Sequence, residues 1–205
     1  MRDSGLALIL DDSLKTVTEL KSPLSSWHLR RAISRISVIP VCKDLSEYLH
    51  LFGKRRIGSP VRYEISFSGP HYRGRLGDDE QSIFRDSNFS LVLKADDVGE
   101  VACLGFSFLE GMVIDVTQIQ GRRNCSSYLE EIKWERMLLR IMTDWARGKG
   151  FREIRVQPAD QNRWRNDRRT GNLKLRYDVT ARRSGFRYDD EKIRYVLRLC
   201  QDTQR

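Results

Sequence analysis

The sequence predicts an α/β fold, and three stretches of its second half carry that prediction. Glu100-Val-Ala-Cys-Leu-Gly-Phe-Ser-Phe-Leu109 is an apolar ribbon that breaks at Glu110-Gly111 and resumes as Met112-Val-Ile-Asp-Val-Thr-Gln-Ile119. Two β-rich runs around a tight turn form a hairpin. Trp134, Met137, Leu138, Ile141, Met142 and Trp145 then recur at helical spacing and make one buried stripe. The β pattern returns at Phe151 to Val156 and at Ile193 to Leu199, with a second helical run through Leu173, Tyr177 and Ala181 between them.

With 205 residues, the chain is long enough for one sizeable core and short for two, so a single domain is expected. Residues 1–36 read as a helical extension: Leu14, Val17 and Leu20 suggest one short helix, and Trp27, Leu29, Ala32, Ile33 and Ile36 a second, with His28, Arg30, Arg31 and Arg35 on its wet face. The domain proper then spans 37–205. Ser37 to Cys42 is short and β-rich, and Pro40 confines it to an edge or a strand end. Asp44 caps a helix through Leu45, Tyr48, Leu49 and Phe52 that Gly53 stops.

Val61, Tyr63, Ile65 and Phe67 alternate along a half-buried strand. Residues 68–80 form a polar loop with three glycines and a proline, which is either a lid or an exposed excursion. Phe89 to Leu93 is another strand, and Ala95-Asp-Asp-Val-Gly99 turns the chain into the hairpin. After it, Ser127 and Glu130 form a capping box for the main helix, and Gly148-Lys-Gly150 supplies its left-handed stop.

Charge is informative through its location. Residues 121–205 hold 22 Lys+Arg against 12 Asp+Glu, net +10; the rest hold 15 against 16, net −1, and together they give the formal +9. The basic C-terminal face suits a coenzyme with several phosphates, a nucleic-acid backbone or an acidic protein partner. The four cysteines and three histidines are scattered, with no zinc spacing and no nucleophile motif, so no metal is expected. No stretch has the length of a membrane span, and Leu6 to Leu10 is cut by Asp11-Asp12, which points to a cytoplasmic protein with no membrane partner.

Hairpin, glycine loop, helix, strand, Asn162, helix, Gly185-Phe186 and closing strand follow one another in that order. The order resembles the GNAT superfamily of acyl-CoA-dependent N-acyltransferases, over a little under half of the chain. The resemblance implies a Gln/Arg-x-x-Gly-x-Gly/Ala loop that holds the coenzyme pyrophosphate, matched here by Gln118, Gly121 and Arg123. It also implies an Asn after the strand that contacts the coenzyme, matched by Asn162, and a general-acid Tyr four residues before the Gly of Gly-Phe. This chain departs from the family at three points: Arg123 replaces a small residue, the interval from Gly121 to Ser127 is lengthened, and Ala181 stands at the acid position, with Tyr177 one helical turn earlier.

The fold expected is therefore a single α/β domain with a mixed, mainly antiparallel central sheet and helices on both faces, of GNAT-like acyltransferase type. The activity expected is transfer of an acyl group, acetyl first among them, from acetyl-CoA or another acyl-CoA to an amine acceptor. Gln118, Gln120, Gly121, Arg122, Arg123 and Asn162 are the candidate coenzyme contacts, with N–H groups around Gln120 to Arg123 converging on phosphate. For the base, Asp115, which interrupts the apolar run Val113 to Val116, and Glu110 at the hairpin are the candidates; an acid in such a strand faces water more often than it is buried. Tyr177 is the candidate proton donor to the thiolate. The alternative is an inactive domain of the same fold that binds nucleic acid or an acidic protein through Arg163, Trp164, Arg165, Arg168 and Arg169, an aromatic ring among phosphate-seeking charges.

Overall fold

The computed structural model describes residues 45–53, 61–69, 83–166 and 172–199. The expected extension 1–36, the β-run 37–42, residues 70–80 of the polar loop, and Arg168 and Arg169 lie outside the described residues.

The strands are β1 (Tyr63–Ser68), β2 (Phe89–Ala95), β3 (Gly99–Leu109), β4 (Val113–Gly121), β5 (Glu153–Val156), β6 (Arg187–Asp189) and β7 (Arg194–Arg198). They form one sheet in the order β1-β2-β3-β4-β5-β7-β6. Every pairing is antiparallel except β4 with β5. That parallel pair needs a long crossover, which the main helix provides. The fold is thus mixed α/β with a mainly antiparallel sheet, and its elements follow the order read from the sequence. The β3–β4 turn is one residue longer than Glu110-Gly111 suggests: Leu109 pairs with Val113, and Gly111 and Met112 both take positive φ, 75° and 61°.

The helices are α1 (Leu45–Phe52), a single turn α2 (Ser126–Leu129), α3 (Trp134–Gly148) and α4 (Thr180–Arg183), the last preceded by a π-helical turn over Leu175–Val179. Where the sequence predicts helices on both faces of the sheet, these described helices share one face, on which Leu91, Leu93, Leu104, Phe106, Ile114, Val116, Ile119 and Ile154 meet α3 in one core. Five of the six residues of the predicted stripe are buried on α3, and the sixth, Trp145, is half-buried against Phe67 and Phe151, with ring centroids at 4.9 and 5.4 Å. Burying each such side chain contributes about 1.5–3 kcal/mol. Gly150, φ 73°, ends the helix as expected. The opposite face of the sheet's second half is charged, with Asp115 paired to Arg194 and Glu153 to Arg155 and Lys192.

The start of the main helix differs from the capping-box expectation. Ser126–Leu129 closes one turn, the chain leaves the helical path over residues 130–133, and α3 begins at Trp134; neither start has a side-chain cap. Packing with α1 explains the break. Ile132 forms a β-bridge with Gly53 while 2% exposed, and the Lys133 N–H donates to the Phe52 carbonyl at 2.9 Å. A chain tied sideways to a neighbouring helix end cannot also continue its own i→i−4 ladder.

Candidate active site

The site originates in one extra residue. Gly105 pairs with Gln118 and Phe106 with Val116, so Thr117 has no partner on β3 and forms a β-bulge. At the same point β4 parts from β5. Their pairing ends at Val116 with Val156, closed by the Gln157 N–H on the Val116 carbonyl at 2.9 Å. Beyond it, residues 118–121 keep β3 on one side and border a cleft of about 1010 Å³ on the other, closed laterally by α2, the start of α3 and the helical segment 173–183. Gln118, Gln120 and Arg122 face β3 in the antiparallel ladder, and the Arg122 N–H reaches the Val101 carbonyl at 2.8 Å. By alternation, Ile119 and Gly121 turn their backbone groups to the cleft.

Tyr177 takes up one of those groups. Its hydroxyl oxygen accepts the Ile119 N–H at 2.9 Å, the contact a strand would otherwise make. The π-helical turn that contains Tyr177 widens the helix by one residue per turn there and carries the ring to β4 from a position one turn before Ala181. Burial pushes the phenol up to about 12, against the pull of the Ile119 N–H, which favours the phenolate. Tyr177 is therefore a neutral phenol on the cleft wall at ordinary pH.

Gln118, 2% exposed, is a structural node. Its Oε1 accepts the Asp86 N–H at 3.1 Å, and its Nε2 donates to the Phe84 carbonyl and to Gln120 Oε1, both at 2.7 Å. This seats the segment before β2 against the bulge, where the Ser87 and Thr117 hydroxyls also bond at 2.7 Å. Gly105 makes room for the arrangement: a Cβ there would stand 2.7 Å from both Gln118 Oε1 and Ser87 Oγ.

The expected phosphate cradle is rearranged. The N–H groups of Gln120 and Arg122 belong to the β3 ladder, and the Arg122 guanidinium turns back to the carbonyls of Val98 at 2.8 Å and Glu100 at 3.1 Å. Gly121 is required by packing, since a Cβ there would meet Leu129 at 2.9 Å and Trp134 at 3.3 Å. The cationic residues that line the cleft are Arg122, whose guanidinium is so engaged, and Arg123 from the expected set, joined by Lys133, Arg136, Arg176 and Arg183. Arg136 Nε is buried and has no acceptor among the described residues, while its Nη2 reaches the Arg183 carbonyl at 3.5 Å.

The remaining candidates divide. Asn162 is buried on the cleft wall, its Oδ1 accepting the Trp164 N–H at 2.9 Å. Asp115 and Glu110 do not line the cleft: Asp115 lies before the bulge and accepts from Arg194 Nε at 3.1 Å, and Glu110 is exposed in the hairpin turn. Arg163 and Trp164 are both exposed and both bind Asp86, Arg163 as an ion pair and the Trp164 indole N–H at 2.8 Å, while Arg165 donates to the Asp160 carbonyl at 2.6 Å. Sequence reasoning missed Phe84, Asp86, Ser87, Gly105 and Thr117. Only Gly105 left a signal, a glycine inside an apolar strand, which marks close approach of a neighbour.

Among the described residues no group of side chains is arranged to hold a metal, and no helix is long and apolar enough to cross a membrane. No protein-family model and no curated protein matches the chain. A solved structure titled "putative N-acetyltransferase from Lactobacillus plantarum" superposes with a TM-score of 0.41 and 16% identity, over 67% of this chain and 99% of that one. A superposition of that quality carries no weight for chemistry, which rests on the cleft itself. The cleft offers an exposed strand edge, a neutral phenol and a carboxylate at one end, and a cluster of cations at the other.

Proposed function

We propose that the chain is an N-acyltransferase whose cleft holds an acyl-CoA and passes the acyl group to an amine. The observation that carries this reading is the parting of β4 from β5 at the Thr117 bulge, which turns the edge of residues 118–121 into a wall for an extended ligand. The amide-bearing arm of the coenzyme pairs with the Ile119 carbonyl and the Gly121 N–H as an added strand would, the Ile119 N–H being held by Tyr177. Its phosphates meet Arg123, Lys133, Arg136, Arg176 and Arg183, and Arg136 Nε supplies a buried donor that lacks an acceptor. A cleft of about 1010 Å³ is at the large end for small-molecule sites, as this ligand requires.

In the reaction the amine nitrogen attacks the thioester carbon, the carbon–sulfur bond breaks, and the proton lost by the amine ends on the thiolate. Tyr177 supports the departing sulfur by hydrogen bonding. With its phenol near 12, full transfer of its own proton to a thiolate, whose pKa is about 8.5, is uphill. Calorimetric titration with CoA and acetyl-CoA, followed by release of free thiol on adding amines, tests the reading. Micromolar binding with amine-dependent thiol release is expected; no binding of either coenzyme form removes the proposal. The nucleic-acid alternative has less support, because Arg163 and Trp164, though partly exposed, both have Asp86 as a partner within the chain.

A further inference from the structure

Where Phe84, Asp86 and Trp164 line the cleft, one carboxylate and two aromatic rings surround a cation that belongs to the chain itself. The Arg163 guanidinium carbon lies 4.7 Å from the Trp164 ring centroid and 5.7 Å from that of Phe84, and the guanidinium pairs with Asp86. The two rings stand edge to face at 6.4 Å. Both distances fall within the range at which ring faces attract a cation, and the carboxylate adds the opposite charge. The acid is held from behind: the Asp86 N–H is fixed by Gln118, and Asp86 Oδ2 accepts the Trp164 indole N–H.

Charge is also segregated along the cleft. The other acids on its lining, Glu130 and Glu135, come from the end of α2 and the start of α3, the stretch that also carries Lys133 and Arg136, whereas Asp86 bonds Gln118 and Trp164. Arg163 is half-exposed, in contrast to the carboxylate it covers: side-chain exposures are 55% and 12%. A charged group on an exposed segment resting in a preformed acid-and-aromatic box occupies a place that a ligand of the same chemistry can take.

We propose that Phe84, Asp86 and Trp164 form a binding site for an organic cation, filled by Arg163 in the empty protein and by a guanidinium or ammonium group of the acceptor when substrate is bound. The proposal rests on the acyltransferase reading for the word acceptor, but not for the site. A caged group must stay charged, while the attacking amine must be neutral. The acceptor class is therefore a molecule with at least two basic nitrogens, such as a diamine, a guanidino-amine or a basic peptide, one nitrogen held and another acylated.

Agmatine, which carries a guanidinium and an amine, is the probe. Its binding is followed through the indole N–H resonance of Trp164, assigned with Trp164→Phe, and CoA binding is measured in parallel by calorimetry. Arg163→Ala should tighten agmatine by about five-fold, the factor by which a half-exposed ion pair favours its closed state. Asp86→Asn keeps an acceptor for the indole N–H but removes the charge, and should lose agmatine binding while the remaining amide spectrum stays native. If Arg163→Ala gains nothing, or Asp86→Asn binds as tightly as the natural chain, the cation site is overturned. Agmatine binding that follows the two variants in a chain that ignores CoA upholds the site and overturns the acyltransferase reading.

Discussion

Strand β4 does opposite work on the two sides of Thr117. Residues 113–116 sit between two partners, paired with β3 and with β5, and Ile114 and Val116 are fully buried under α3. Residues 118–121 keep only β3, and on the other side Tyr177 and an open cleft replace the strand. The chemistry of the two halves differs accordingly: three apolar side chains and one paired acid make up the first, while two glutamines, a glycine and a strand edge without a strand partner make up much of the second. One unpaired residue thus divides a single strand into a piece that holds the fold and a piece that is free to hold something else.

The difference should appear first in stability. Ile114→Ala empties a fully buried position in the zipped half and should cost about 2–5 kcal/mol in urea unfolding, enough to unfold a marginal domain. If it costs less than about 1 kcal/mol, the first half is not the structural half.

Tyr177 probes the other half. The folded protein raises its pKa above the ordinary tyrosine value, so folding favours the protonated phenol. The associated stability is fully present below about pH 10 and is lost as pH rises toward about 12. Integrated over that window, the loss is roughly 3 kcal/mol. Tyr177→Phe should flatten this alkaline decline and also lower stability at neutral pH by about 1–3 kcal/mol, because the Ile119 N–H loses its acceptor. The buried Cys103 thiol is likewise pushed up to about 12 and contributes with the same sign, so the comparison belongs in a Cys103→Ala background. A slope unchanged by Tyr177→Phe in that background would mean the phenol is not the group that titrates.

Two arginines of the basic end separate motif from geometry. Arg136 has a buried Nε without an acceptor, whereas Arg122, the one nearer the Gln-x-x-Gly pattern, bonds two carbonyls at the start of β3. A charge-assisted bond is worth about 1.5–3 kcal/mol, so Arg136→Gln should weaken CoA by roughly 10- to 100-fold in calorimetry. Arg122→Gln should leave CoA affinity unchanged and lower the unfolding midpoint instead. The reverse pattern would restore the phosphate role to the motif arginine.

What the sequence revealed follows the range of the interactions concerned. The hairpin, the stripe of α3 and the stop at Gly150 depend on periodicity and on one residue's backbone freedom, and all three stand in the structure. The bulge at Thr117 depends on counting two strands against each other, which neither strand contains alone. The break between α2 and α3 depends on α1, some 80 residues earlier in the chain, through the Gly53 bridge to Ile132. Tyr177 could be named as a candidate one turn out of place, but the π-helical turn that brings it to Ile119 has no residue signature. Asp86, Phe84 and Ser87 lie in an irregular segment with no period at all, and only Gln118 and Thr117 give them a location.

The smallest effect is expected at Asp115, on the zipped side of the bulge. Its carboxylate pairs with Arg194 on the charged face of the sheet, with side-chain exposures of 13% and 25%, and it does not line the cleft. Asp115→Asn removes the charge but keeps an oxygen for the Arg194 Nε, so it should lower stability by about 1 kcal/mol. Removing a general base costs about 10²- to 10⁴-fold in rate. Amine-dependent thiol release by Asp115→Asn at the rate of the natural chain would therefore place the chemistry on the splayed half of β4. A loss of that size would instead bring the reacting amine to the opposite face, through the gap between β4 and β5, and make Arg194 the group that holds the base in position.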